Sequence, residues 1–184
     1  MKIVVMKFGG TSVATVQKIK NIAETVKNQV KKNKVLVVLS AMAGVTNQLQ
    51  SYIDDVSKSL DDQIVPSNDS DLIMTSGEQV TIGLLSMILN HQNIKSIPLL
   101  GWQIPIITDS NYSKSKILNI ENKNIYKYFE TNDVIVLAGF QGINIDGKIT
   151  SLGRGGSDTS AVAIAASLNA ERCDIYTDVE GVFT

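Results

Sequence analysis

The chain has 184 residues, 43% hydrophobic and 19% charged, with a formal net charge of −1, which is enough for one domain with a substantial core. A near-neutral balance and 5% aromatic residues give no general attraction to nucleic acid or an anionic membrane, and no base-stacking platform. One cysteine, Cys173, excludes an intramolecular disulfide, and one histidine, His91, in the polar patch Asn90-His91-Gln92-Asn93, gives little support to histidine catalysis or a histidine-rich metal site.

Met1-Lys2-Ile3-Val4-Val5-Met6 is a near-continuous apolar run, the pattern of a strand buried on both faces. It leads into Lys7-Phe8-Gly9-Gly10-Thr11-Ser12. Lysine, two glycines and two hydroxyls between a strand and a helix suit a phosphate cradle, although the spacing is neither Walker A nor G-x-G-x-x-G. A lysine at a strand end also reads as a solvated terminus. Val16, Ile19, Ile22, Ala23, Val26 and Val30 recur at helical steps, and Val35 to Leu39 is a second buried strand ending in Ser40 to Asn47. Strand, helix and strand at this spacing form a βαβ unit, so the sheet is expected to be parallel with both loops on one rim.

A helix is expected over Leu49 to Leu60, a loop over Asp61 to Asp71, and one long helix over Leu72 to Asn90. On that helix Glu78 reads from pattern alone as an exposed acid. Ser96 to Leu100 is a short strand, Trp102 is expected in the core, and residues 106 to 120 mix extended runs with polar residues. Asp133 to Gly142 reads as a third strand, and Asp146-Gly147 as a hairpin turn. No apolar run of membrane-spanning length and no signal-peptide layout are recognised, so the expectation is a soluble cytoplasmic protein.

Thr150 to Ser160 is a glycine- and hydroxyl-rich stretch containing Gly153-Arg154-Gly155-Gly156-Ser157-Asp158, followed by the small-residue helix Ala161 to Leu168. A helix N-terminus favours anions, and arginine adds a permanent planar fork for carboxylate or phosphate. The same letters also suit a plain helix capped by Ser157, Asp158 or Thr159. Last, Cys173 to Asp178 reads as a strand. The expected class is α/β, with a mainly parallel sheet covered by helices.

Four strings stand together in order: Lys7-Phe8-Gly9-Gly10-Thr11-Ser12-Val13, Ser76-Gly77-Glu78-Gln79, Leu152 to Ala165, and Asp174-Ile175-Tyr176-Thr177-Asp178-Val179-Glu180-Gly181-Val182. In this the chain resembles the aspartate kinases of the amino-acid kinase superfamily, over essentially its whole length. The resemblance implies a three-layer αβα sandwich around a roughly eight-stranded sheet. It implies transfer of the ATP γ-phosphoryl group to the β-carboxylate of L-aspartate, the first step toward lysine, threonine, methionine and diaminopimelate. Mg²⁺ would bridge the phosphates with few or no protein ligands.

Carried onto this sequence, the family's roles give Lys7, with Phe8, Gly9 and Gly10, as the phosphate element. Thr46 and Glu78 become substrate contacts, Glu78 pairing the ammonium, and Arg154 clamps the α-carboxylate. Gly156 and Ser157 present backbone N–H groups to the same anions, and Asp158 resembles the catalytic aspartate that positions Lys7. Thr177 and Asp178 open the nucleotide segment, and no residue is expected to be a metal ligand. In the family, further nucleotide contacts and paired inhibitor-binding ACT modules follow the segment that ends here at Thr184. The expectation is therefore an incomplete catalytic domain, homo-oligomeric in its full-length form. The alternatives are a weakly active or non-catalytic binding fragment, or a superfamily kinase with another acceptor.

Overall fold

Apolar runs without polar alternation fold as strands covered on both sides. The computed structural model describes residues 2–60 and 64–177. In chain order its elements are β1 (Ile3–Phe8), α1 (Val16–Val30), β2 (Lys34–Leu39), α2 (Val45–Ser59), α3 (Asn68–Met74), α4 (Gly77–His91), β3 (Ser96–Leu99), β4 (Ile106–Thr108), β5 (Ile117–Ile120), α5 (Asn122–Thr131), β6 (Val134–Ala138), β7 (Gln141–Ile143), β8 (Ile149–Ser151), α6 (Gly156–Ser167) and β9 (Arg172–Tyr176).

Five strands form a parallel sheet in the order β3-β6-β2-β1-β9, and four form a second, mixed sheet in the order β5-β4-β7-β8. Strand alternation divides the core into two layers. Val4, Met6 and Phe8 of β1 pack with α1 and α4 through Ile19, Val26, Ile82 and Leu85. Ile3 and Val5 pack on the opposite side with α5 and α6 through Ile125, Phe129, Ala161 and Ile164. This is the expected αβα sandwich. Among the described residues its main sheet has five strands rather than the eight or so that the resemblance implied.

Because the main sheet is parallel, the carboxyl ends of β1, β2, β6 and β9 open on one rim. The loops after β1 and β2 touch there as expected, with the Ala43 N–H donating to the Gly10 carbonyl at 3.1 Å. The Asp146-Gly147 turn joins β7 and β8, with Gly147 at φ 73°. His91 closes α4 at the exposed surface.

Several local expectations change. The helix expected from Leu49 begins at Val45, and the expected 61–71 loop contains the start of α3, capped reciprocally by Ser67 and Ser70. The long helix breaks at Thr75-Ser76 into α3 and α4. Taken together, residues 68–91 have the length and apolar composition of a membrane span, contrary to the sequence expectation. They nevertheless bury Asp71, Glu78, Thr81 and Ser86 against the protein. The strand expected through Gly142 is two strands in different sheets, separated by Phe140 at φ 68°. Trp102 is 46% exposed rather than core, and Cys173 is half-buried beside the α5/α6 layer.

Candidate active site

A cavity of about 250 Å³ opens on the rim, between the ends of β1, β2 and β6 and the start of α6. Lys7, Thr46, Glu78, Arg154, Gly156, Ser157 and Asp158 line it, so residues up to 151 positions apart meet in one place.

Lys7 sits at the end of β1 with neighbouring strands on both sides, so its aliphatic stem is buried while its ammonium reaches the rim. Nζ lies 2.6 Å from Asp158 Oδ1. A Cβ on Gly9 would stand 3.4 Å from that ammonium, and one on Gly10 would stand 3.0 Å from the Ala41 carbonyl oxygen. The two glycines therefore let the loop fold tightly over Lys7 and against the loop after β2.

Glu78 overturns its pattern-based reading. Gly77 makes this possible, since a Cβ there would come within 2.8 Å of Ala41 Cβ and 3.1 Å of Val45 Cγ1. The close approach sinks the start of α4, leaving Glu78 3% exposed. The Ala41 N–H donates to Glu78 Oε1 at 3.1 Å, while Oε2 is buried without a hydrogen-bond partner. Burial pushes the carboxyl up to about 7, with the Ala41 and Glu78 N–H groups pulling the other way. An unpaired carboxyl oxygen beside a cavity has the chemistry to accept a hydrogen bond or pair with a cation.

Across the cavity, α6 begins at Gly156, ahead of the expected side-chain caps. Its N-cap is Gly155 at φ 77°, with no side-chain hydrogen bond. Asp158 and Thr159 donate their N–H groups to the Gly155 carbonyl, which leaves the Gly156 and Ser157 N–H groups at the cavity wall. The end of the helix is packed hard against its surroundings. A Cβ on Gly156 would come within 2.8 Å of Phe140 and Leu152, and one on Gly139 within 2.8 Å of Ser157 Oγ. Arg154 is exposed on the wall and pairs with no carboxylate among the described residues.

The remaining expected residues lie elsewhere. Period-two alternation turns Phe8 to the layer opposite Lys7, where its ring stacks on Tyr176 at 4.4 Å and 15°. Phe8 and Thr177 border a neighbouring cavity of about 340 Å³ with Thr11, Ser12 and Tyr176. Asp178 lies outside the described residues.

Ser40, Gly153 and Gly155 also line the first cavity, from stretches the sequence had marked, and so does Phe140, which sequence reasoning did not select. Phe140 carried a weak signal in its flanking glycines. Its left-handed backbone, costing on the order of 1 kcal/mol or more, is held by two hydrogen bonds. The Leu152 N–H donates to its carbonyl at 2.8 Å, and its own N–H donates to Ser160 Oγ at 3.1 Å.

The sequence matches the amino acid kinase family over residues 2–184. The chain belongs to the amino acid kinase family. Among other members, it is 50% identical to an aspartokinase of Rickettsia felis over 185 residues, covering 100% of this chain and 46% of that protein. An aspartate kinase structure from Synechocystis matches 97% of this chain and 29% of its own, at 41% identity and a TM-score of 0.79. The structure of E. coli aspartokinase III in complex with lysine and aspartate matches 99% of this chain and 51% of its own, at 25% identity and a TM-score of 0.82. The chain thus spans about half the length of the curated relatives it matches.

Proposed function

We propose that this chain forms the amino-acid and phosphate side of an aspartate kinase, which transfers the γ-phosphoryl group of ATP to the β-carboxylate of L-aspartate. The observation that carries the reading is the meeting of Glu78, Arg154, Lys7 and Asp158 in the lining of one cavity. An α-amino acid presents an ammonium and a carboxylate on one carbon, so it needs an anionic and a cationic partner facing each other. The unpartnered Oε2 of Glu78 suits the ammonium, and the Arg154 fork suits the α-carboxylate. Thr46 and the Ser157 N–H complete the polar wall. That leaves the side-chain carboxylate directed toward Lys7.

A β-carboxylate oxygen would attack the γ-phosphorus as the bond from phosphorus to the ADP oxygen breaks, giving 4-phospho-L-aspartate and ADP. The nucleophile is already an anion, so no proton need be removed. Lys7 would neutralise charge building on the transferred group, while Asp158 at 2.6 Å holds the ammonium in place. The Gly156 N–H and the dipole of α6 offer further stabilisation to phosphate oxygens. The tight Gly9-Gly10 fold gives phosphates close access to backbone; we assign Phe8 and Thr177 to the nucleotide side of the rim, and Asp178 to nucleotide binding from its place in the sequence string alone.

Among the described residues no cluster of three or more His, Cys, Asp or Glu side chains is arranged to hold a metal ion. Mg²⁺ here would take its ligands mainly from phosphate and water, supplying charge neutralisation when bound. With these substrates the protein is assigned to the cytoplasm.

The test is ATP- and Mg²⁺-dependent formation of aspartyl phosphate, trapped as the hydroxamate, by this chain and by any longer natural form. Failure of the longer form with L-aspartate would refute the reading. The partial coverage of relatives favours a second reading for the 184 residues alone, namely ligand binding without turnover. Calorimetry showing L-aspartate binding, with no hydroxamate at high protein concentration, would select it.

A further inference from the structure

A second buried carboxylate, Asp71, borders a neighbouring cavity that shares Thr46, Phe140, Gly153 and Arg154 with the first, and takes no part in the chemistry above. Asp71 of α3 is 0% exposed. Its Oδ2 accepts from the Ser151 N–H at 2.6 Å, its Oδ1 from the Ser151 hydroxyl at 2.9 Å, and both oxygens from the Ser113 N–H at 3.1 Å. It forms no ion pair among the described residues. Both oxygens only accept, the pattern of a carboxylate anchored by neutral donors.

The position of this anchor matters more than its strength. Ser151 ends β8, three residues before Arg154. Asp71 lies seven positions before Glu78, and the Asp71 backbone carbonyl accepts both the Thr75 N–H at 3.0 Å and the Thr75 hydroxyl at 2.8 Å, fixing the turn into α4. A second clasp runs in parallel. Gln141, the cross-strand partner of Ser151, donates its side-chain amide to the Thr75 carbonyl at 3.2 Å. The segments carrying Glu78 and Arg154 are thus tied together by buried hydrogen bonds.

Resting on the aspartate reading, we propose that Asp71 is a positioning residue that sets the separation of Glu78 and Arg154, and with it how well the cavity grips the α-ammonium and α-carboxylate of the amino acid. A donor placed where the structure needs an acceptor loosens the tie without changing its volume, so Asp71→Asn is the primary variant. Ser151→Ala removes the hydroxyl contact alone and serves if Asp71→Asn does not fold.

The expected result is a rise of roughly 10- to 100-fold in KM for L-aspartate, with KM for ATP within about twofold. The Ser113 and Ser151 amides should also exchange hydrogen faster than in the wild type. A generally unstable protein would instead raise both KM values or lower kcat alone, and either outcome overturns the positioning role. No turnover of L-aspartate by the longest natural wild-type form refutes the substrate assignment itself. Wild-type turnover, with an unchanged aspartate KM in both variants, refutes the role of Asp71 alone.

Discussion

Replacing Glu78 by glutamine tests the site with no substrate present. In the folded protein the carboxyl is raised from 4.5 to about 7 because burial penalises its charged form. The folded state therefore holds a proton that the unfolded state has released, and stability must fall as pH rises between those values. Each unit corresponds to about 1.4 kcal/mol, so the full cost, reached above pH 7, is about 3 kcal/mol. Glutamine keeps the shape and can still accept the Ala41 N–H bond, but it carries no charge to desolvate. Thermal unfolding of both proteins from pH 5 to 8.5 should give similar midpoints at the acidic end and diverge upward. At pH 8 the variant should lead by roughly 6–12 °C, taking 2–4 °C per kcal/mol for a domain of this size. Other groups titrate alike in both, so the difference between the curves isolates Glu78. Parallel curves, or a variant less stable at pH 8, would refute the placement of an ionisable, unpaired carboxyl in this cavity. The same variant should lose L-aspartate binding, an exchange of stability for function.

Three further outcomes are expected. Lys7→Met should lower kcat by 100-fold or more with little change in KM for aspartate, measured by the hydroxamate assay, because the lost charge acts on the transferred group. Arg154→Ala should leave the melting temperature within about 1 °C, since the exposed side chain has no carboxylate partner to lose, yet raise KM for aspartate roughly 10- to 100-fold. Gly77→Ala should destabilise by about 1–3 kcal/mol in denaturant titrations, despite a helix-propensity gain of about 1 kcal/mol, because its Cβ would meet Ala41 at 2.8 Å.

What the sequence revealed follows from how far each signal reaches. Buried strands and amphipathic helices are written in local periodicity, so β1, α1, β2 and the layered architecture could be read directly. Lys7 and the Gly153–Asp158 stretch announced themselves by composition, and their convergence followed from the rule that parallel strands share a rim. Glu78 did not, because its burial depends on Ala41 and Val45 accepting a glycine 32 residues or more further along the chain. Asp71 was invisible for the same reason, since its principal donor lies 80 residues away. At Phe140 an apolar run continued straight through a chain reversal between sheets, and the flanking glycines marked the break only faintly. Trp102 failed in the other direction, because size and apolarity alone do not fix depth.

The strand order also governs how this chain can be made. β1 precedes every other described element in the chain, yet it lies inside the sheet, between β2 and a strand that begins at Arg172. Pairing Val4 with Arg172 closes a loop of nearly the whole described length, so one edge of β1 stays open until β9 has been made. Through that interval the apolar face under α6 is uncovered, and Lys7 has no Asp158 to meet. Substitutions in β9 or α6 should therefore lower the yield of folded protein more than its final stability, and co-expressed chaperones should restore the yield.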